Sequence, residues 1–181
     1  GDRPEKLSLR KPEGLALFGR ILFVADFGAN RIVALDAESL SFRYSIGHRG
    51  CGFGELHGPR GLLVMDSELF VTEAHNHRIQ VFTIGADRCS FARTLGGHGG
   101  APGRFRNPFG IAESHGLIIV SEFDNERIQV LTRRGKPLQV VPLPSESRPR
   151  GVCIADNHCY CVDWWADRMH ELPLRVFEQQ C

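Results

Sequence analysis

The sequence predicts an all-β chain folded as a β-propeller with four blades, forming either a closed four-bladed ring or four blades of a larger ring. Three observations predict it. First, an apolar run ends in an acid, an arginine follows five residues later and a second apolar run begins there, at Asp26/Arg31, Glu73/Arg78, Glu122/Arg127 and Asp163/Arg168. Second, a Pro-x-Gly precedes each acid, its proline fourteen residues upstream at Pro12, Pro59, Pro108 and Pro149. These copies start 47, 49 and 41 residues apart, a period that marks solenoids or propeller blades. Third, the runs between turn residues are short and apolar for most of their length, as strands buried on both faces between neighbouring blades must be.

The single domain spans residues 1–181, with repeats at about 10–57, 58–106, 107–147 and 148–181. The first unit reads as strands over Gly14–Phe18, Ile21–Ala25, Arg31–Leu35 and Leu40–Ile46, with turn residues between them and none of the i, i+3, i+4, i+7 spacing of an amphipathic helix. The second and third units repeat the plan from Pro59 to Leu95 and from Pro108 to Leu143. The linkers at 47–54 and 96–103 are rich in glycine but lack the lysine, hydroxyl and following helix of a phosphate loop, so they read as sharp turns between blades. The fourth unit ends without an outermost strand after the run Leu174–Phe177. A short strand over residues 4–9 stands where that strand would lie, so pairing the two ends would close the ring.

The strings Pro59-x-Gly-Leu, Leu-Phe-Val-Thr-Glu73 and Asn76-His-Arg-Ile-Gln-Val-Phe82 resemble the NHL repeat, whose usual form is Pro-x-Gly-Ile-Ala-Val-Asp, Ile-Tyr-Val-Ala-Asp and Asn-x-Arg-Ile-Gln-Val-Phe. The linkers fit as well, with Gly54-Glu-Leu56 and Gly103-Arg-Phe105 before the proline, while unit four departs at Trp164-Trp165-Ala166-Asp167. The resemblance implies a propeller, most often six-bladed in that family, that serves as a binding module for proteins or, in some members, RNA. A minority of related propellers are lyases or ester hydrolases with a metal in the channel.

Composition narrows the function classes. The chain of 181 residues is 42% hydrophobic and 24% charged, which suits an ordinary core, and no apolar run is long enough for a membrane helix. A net charge of +1 gives no global pull toward nucleic acid or lipid. Of the 22 basic residues, 19 are arginine. The six cysteines follow no metal-finger or disulfide-scaffold spacing, so a reducing, cytoplasmic setting is expected. His158 with Cys153, Cys159 and Cys161 is the one local cluster; Cys159 and Cys161 share a strand face, where cysteine acts as a small buried hydrophobe. No cofactor or metal is expected.

The repeated acids and arginines are expected to brace each blade, since a brace is needed once per blade whereas a ligand site needs broken symmetry. Function is therefore sought where the copies differ, on the rim shared by the loop between the second and third strands and the turn into the inner strand. There Arg60, Phe109, Phe123, Arg150, Trp164 and Trp165 form an aromatic and guanidinium surface of the kind that dominates protein interfaces. The same residues could stack RNA bases, but Glu13, Asp124 and Glu126 share the rim. His75 and His77 lack counterparts in the other units, and no nucleophile turn or three-histidine set is present. The sequence alone thus predicts a non-enzymatic module for protein interaction or scaffolding, with RNA binding and metal-dependent lyase or hydrolase activity as alternatives.

Overall fold

A computed structural model describes residues 8–85, 87–156 and 158–174. The chain is an all-β, four-bladed β-propeller in which four antiparallel sheets succeed one another around a ring. The first blade holds β1 (Pro12–Phe18), β2 (Ile21–Asp26), β3 (Arg31–Asp36) and β4 (Phe42–Ile46), with one 3-10 turn at Phe27–Ala29. The second holds β5 (Pro59–Met65), β6 (Glu68–Glu73), β7 (Arg78–Ile84) and β8 (Cys89–Gly96). The third holds β9 (Pro108–Ser114), β10 (Leu117–Glu122), β11 (Arg127–Thr132) and β12 (Pro137–Pro142). The fourth shows β13 (Pro149–Ala155), β14 (His158–Asp163) and β15 (Arg168–Pro173). The strand expected over 4–9 lies outside the described residues apart from Ser8 and Leu9, which are not in a strand, and 175–177 of the last expected run also lie outside them.

Each repeat builds its blade in the same way. The proline opens the inner strand opposite the acid that ends the second strand, in the pairs Pro12/Asp26, Pro59/Glu73, Pro108/Glu122 and Pro149/Asp163, and a register shift follows each pairing. Proline donates no ladder hydrogen bond, so it is tolerated where the ladder is already irregular. The acid and arginine then face each other as the last pair of the second hairpin: Asp26/Arg31, Glu73/Arg78, Glu122/Arg127 and Asp163/Arg168.

Most of the core lies in seams between blades; a further cluster of Val24, Val33 and Leu35 packs with Leu9 and Leu22 in the first unit. Phe23, Ala25, Ile32 and Ala34 of the first blade pack on Leu62, Leu69, Val71 and Phe82 of the second. Phe70, Ile79 and Val81 pack on Phe105 of the linker and on Ile111, Ile118 and Val120 of the third, and Ile119, Ile128 and Val130 pack on Cys159 and Cys161 of the fourth. Inner strands β1, β5, β9 and β13 meet in succession, but among the described residues β13 and β1 share no comparable interface. Leu15, 62% exposed on β1, holds the position of the buried Leu62 and Ile111; Met169, 63% exposed on β15, holds that of the buried Ile32, Ile79 and Ile128.

Candidate functional site

The rim is built on the inner strands. The residue after each Pro-x-Gly proline is the second of its inner strand, which places Glu13, Arg60, Phe109 and Arg150 in consecutive blades. Two of these positions are pinned by hydroxyls from the preceding blade. Thr72 accepts from the Gly61 N–H (2.8 Å) and donates to the Phe109 carbonyl (2.7 Å). Ser121 likewise accepts from the Gly110 N–H (2.8 Å) and donates to the Arg150 carbonyl (2.5 Å). Both hydroxyls stand one residue before the repeat acid of their unit, a recurrence the linear reading missed.

The predicted rim residues are brought together. The Arg60 guanidinium lies 4.2 Å from the ring centroid of Phe27 and 4.3 Å from that of Phe109. Arg150 lies 5.0 Å from Phe109 and 4.2 Å from Trp164. Phe27, Arg60, Phe109, Arg150 and Trp164 therefore alternate as a ladder across the four blades. Phe123 flanks it, 6.2 Å from Phe109 and 6.3 Å from Trp164, and Trp165 continues outward 6.2 Å from Trp164. Trp164 is 50% exposed and Trp165 65% exposed. Exposed aromatic faces in such a run are unusual on a folded surface that contacts only water. Phe27, an extension of the ladder, was not singled out by its rings in the sequence; only its loop position pointed to it.

The charges on the ladder are uneven. Arg60 donates to Glu13 Oε1 at 2.5 Å across the first seam. Arg148 pairs with Glu126 at 2.8 Å. Arg150 has no ion-pair partner among the described residues; burial and the neighbouring Arg60 push its pKa down, against the opposing pull of Glu13.

The repeat acids lie behind the rim and are buried. Glu122 accepts from Arg127 Nε (2.5 Å), Asn125 Nδ2 (2.5 Å), Gln129 Nε2 (2.7 Å) and the Arg106 N–H (3.0 Å). Glu73 accepts from Arg78 Nε (2.5 Å), Asn76 (2.6 Å), Gln80 (2.9 Å) and the His57 N–H (2.9 Å). The remaining nitrogens of Arg78 and Arg127 donate to the linker carbonyls of Cys51, Gly52 and Glu55 and of Gly100, Ala101 and Arg104. Asp26 takes Arg31 Nε (3.0 Å) and the Arg10 N–H (2.5 Å). In the fourth unit Arg168 stands 3.5 Å from Asp163, and His170 occupies the place of Gln80 and Gln129, 3.0 Å from the same carboxylate.

The two histidines without counterparts separate in role. His77, like Asn30 and Glu126, sits four residues after the repeat acid with a left-handed backbone. Its Nδ1 accepts the Asn107 N–H of the next linker at 3.0 Å, as Asn30 Oδ1 accepts that of Gly58 at 2.9 Å. His77 thus performs a repeated task with a different side chain, and burial together with His98, 4.7 Å away, lowers its pKa. His75 meets His57 (4.6 Å) and Phe27 (5.5 Å) edge to face, at the Phe27 end of the ladder. No group of three potential metal ligands occurs among the described residues. Cys159 and Cys161 are buried free thiols, each pushed up to about 12 by desolvation.

No family model matches the chain, and no curated protein matches it. Solved structures to which it is similar include the computationally designed Ika4 protein, with TM-score 0.67 and 14% identity over 96% of this chain and 99% of that one. A streptogramin B lyase is similar at TM-score 0.64 and 17% identity, over 93% of this chain and 56% of that one. A chain of a nidogen/laminin complex is similar at TM-score 0.70 and 17% identity, over 96% and 63%. The fold is that of a β-propeller. The chain spans between half and two thirds of the lyase and nidogen/laminin chains. At these identities the likeness is one of fold alone.

The lyase neighbours, which include a virginiamycin B lyase from Staphylococcus aureus, correct the expectation that the chain is not an enzyme. That expectation rested on the lack of a catalytic constellation along the sequence. A propeller assembles its sites from side chains on different blades, so linear spacing cannot exclude one. No helix among the described residues is long and apolar enough to cross a membrane.

Proposed function

We propose that this chain binds a protein or peptide partner on the rim formed by Arg60, Phe109, Phe123, Arg150, Trp164 and Trp165. The observation that carries it is the ladder of alternating guanidinium and aromatic groups, which ends in two indoles at least half exposed. Rigid aromatic faces bury much area for little conformational entropy, and arginine adds directional hydrogen bonds, which is why these residue types dominate binding hot spots. The reading of the blades as NHL-type belongs to the same proposal; it is supported by the Pro-x-Gly, acid and arginine offsets that recur in every unit. Protein binding is also consistent with the nidogen/laminin neighbour, which was crystallised as a complex.

The repeat acids and arginines have the opposite role in this proposal, as braces. Asp26, Arg31, Glu73, Arg78, Glu122, Arg127, Asp163 and Arg168 hold the linker and hairpin of each blade, and the rim residues are presented on the frame they fix.

The test is a binder selected from a phage-displayed library of random peptides on the intact chain, followed by affinity measurement on variants. Trp164→Ala combined with Phe123→Ala is expected to weaken the selected peptides at least tenfold while the melting temperature stays close to that of the parent. Equal affinity for a folded double variant would place binding elsewhere and overturn the assignment.

A further inference from the structure

We propose that the partner is anchored by a carboxylate seated on Arg150, so that the rim selects an acidic peptide. This inference rests on the binding role of the rim and adds the chemistry of what binds there.

Arg60 and Arg150 are equivalent residues, each following a Pro-x-Gly proline; Arg60 lies over the rings of Phe27 and Phe109, and Arg150 over those of Phe109 and Trp164 with Phe123 farther off. Stacking uses the two faces of the planar guanidinium and leaves only its N–H edges for acceptors. In Arg60 that edge is occupied, because Nη1 donates to Glu13 at 2.5 Å. The Nε of both arginines is buried without a hydrogen-bond partner, so the difference lies at the outer nitrogens: among the described residues no carboxylate pairs with Arg150. The chain therefore carries one completed copy of a stacked arginine–carboxylate pair and one copy that lacks the carboxylate.

Leaving Arg150 in this state is unfavourable. Its charge is partly desolvated by Phe109 and Trp164 and lies near the Arg60 cation, which together disfavour the protonated form. A carboxylate would meet donors in the plane of the guanidinium, in surroundings less polar than water, where a forked charge-assisted pair is strongest. The internal pair supplies the pattern, in which Glu13 answers Arg60 from the neighbouring blade.

A carboxylate fits better than a phosphate ester. Only one guanidinium on the ladder is without an acid, while Glu13 on β1 and Asp124 beside Phe123 add negative charge to the same rim. A dianion would be repelled by these groups without a second cation to offset it. Next to the carboxylate, the indoles of Trp164 and Trp165 offer an apolar wall for a neighbouring aliphatic or aromatic side chain.

Both tryptophans of the chain lie in this loop, so intrinsic fluorescence reads the site directly. The experiment takes peptides selected on the intact chain and titrates them by tryptophan fluorescence, each beside a copy in which one Asp or Glu is changed to its amide or the free C-terminus is amidated. One acidic position is expected whose neutralisation weakens binding at least tenfold on the parent chain but less than threefold on Arg150→Met. Arg150→Lys is expected to recover only part of the affinity, since it keeps the charge and loses the fork. Thermal denaturation identifies any variant that fails to fold, and the peptide-side change tests the same contact without altering the protein.

Coupling between Arg150 and a peptide acid, with loss of binding in Trp164→Ala, supports the proposal. Peptides that depend on Trp164 but contain no acid coupled to Arg150 would overturn the carboxylate anchor and leave the rim as the binding surface. Peptides indifferent to Trp164, or failure to select any, would overturn the rim reading and this inference with it. A phosphopeptide or RNA oligonucleotide that binds through Arg150 more tightly than every acidic peptide would overturn the choice of carboxylate.

Discussion

Four donors converge on the buried Glu122 carboxylate, two from arginine and glutamine side chains of its own hairpin, one from Asn125 and one from the linker backbone. Removing it would leave the buried Arg127 Nε without its acceptor and take one of two acceptors from Gln129 Nε2, which is costlier than never having the pair. Glu122→Ala is therefore expected to destabilise the fold by about 3–5 kcal/mol in a denaturant titration. Asp163 is arranged differently. Burial alone would raise its pKa, but the Arg148 N–H, His170 and the Ala166 N–H bonded to it outweigh that and hold it low. Arg168, 45% exposed and 3.5 Å away, adds little to that set. Arg168→Ala is expected to cost no more than about 1 kcal/mol, as for other exposed pairs. The same acid–arginine spacing in the sequence thus covers two energetically different pairs, and only the burial of each separates them.

At the level of the strand, the Pro-x-Gly glycine shows why a motif recurs. A Cβ built on Gly14 would lie 2.2 Å from the Arg60 carbonyl oxygen, one on Gly61 2.4 Å from that of Phe109 and one on Gly110 2.2 Å from that of Arg150. Each glycine lets its inner strand approach the backbone of the next. For Gly151 no described atom lies within 4 Å of such a Cβ. Gly110→Ala is expected to force the third and fourth blades apart at a cost of about 1–3 kcal/mol. Gly151→Ala is expected to change stability by no more than about 0.5 kcal/mol. Paired denaturation curves decide it: equal losses at the two positions would show that the contact in the third seam is not what the glycine protects. The hydroxyls of Thr72 and Ser121 belong to the same element, because they tie the bulge of one blade to the carbonyl of the rim residue in the next. Ala25 and Val162 hold that position in the first and fourth units, so the first seam lacks the hydroxyl link.

Across the whole molecule, three seams and a fourth cluster of Val24, Val33 and Leu35 against Leu9 on the first blade carry the core, while Val162 and Met169 on the fourth blade are exposed. Ile128 is fully buried between the third and fourth blades, whereas its repeat partner Met169 is 63% exposed. Ile128→Ala is expected to cost about 2–5 kcal/mol, the range for a buried aliphatic truncation. Met169→Ala, by contrast, is expected to stay within about 0.5 kcal/mol of the parent. A large loss at Met169 in a monomeric sample would mean that its face is covered in solution. The histidines also depend on this scale: the β6–β7 loop of the second blade meets the linker that leads into that blade through His75 and His57, and the linker that leads into the next blade through His77 and His98.

The strands, their turns and the acid–arginine hairpin ends were legible in the sequence, since continuous apolar runs, proline, glycine and charge at fixed offsets act between residues that are neighbours along one hairpin. The set Arg60, Phe109, Phe123, Arg150, Trp164 and Trp165 was legible as a rim for the same reason, its members occupying matching positions in successive copies. The tertiary structure alone decided what those positions do to one another. It paired Arg60 with Glu13 and left the equivalent Arg150 stacked but without an acid, gave His77 the acceptor role of Asn30, and buried Ile128 while exposing Met169. Such differences arise from the rotation of one blade against the next, which joins residues one repeat apart and is written in no local pattern.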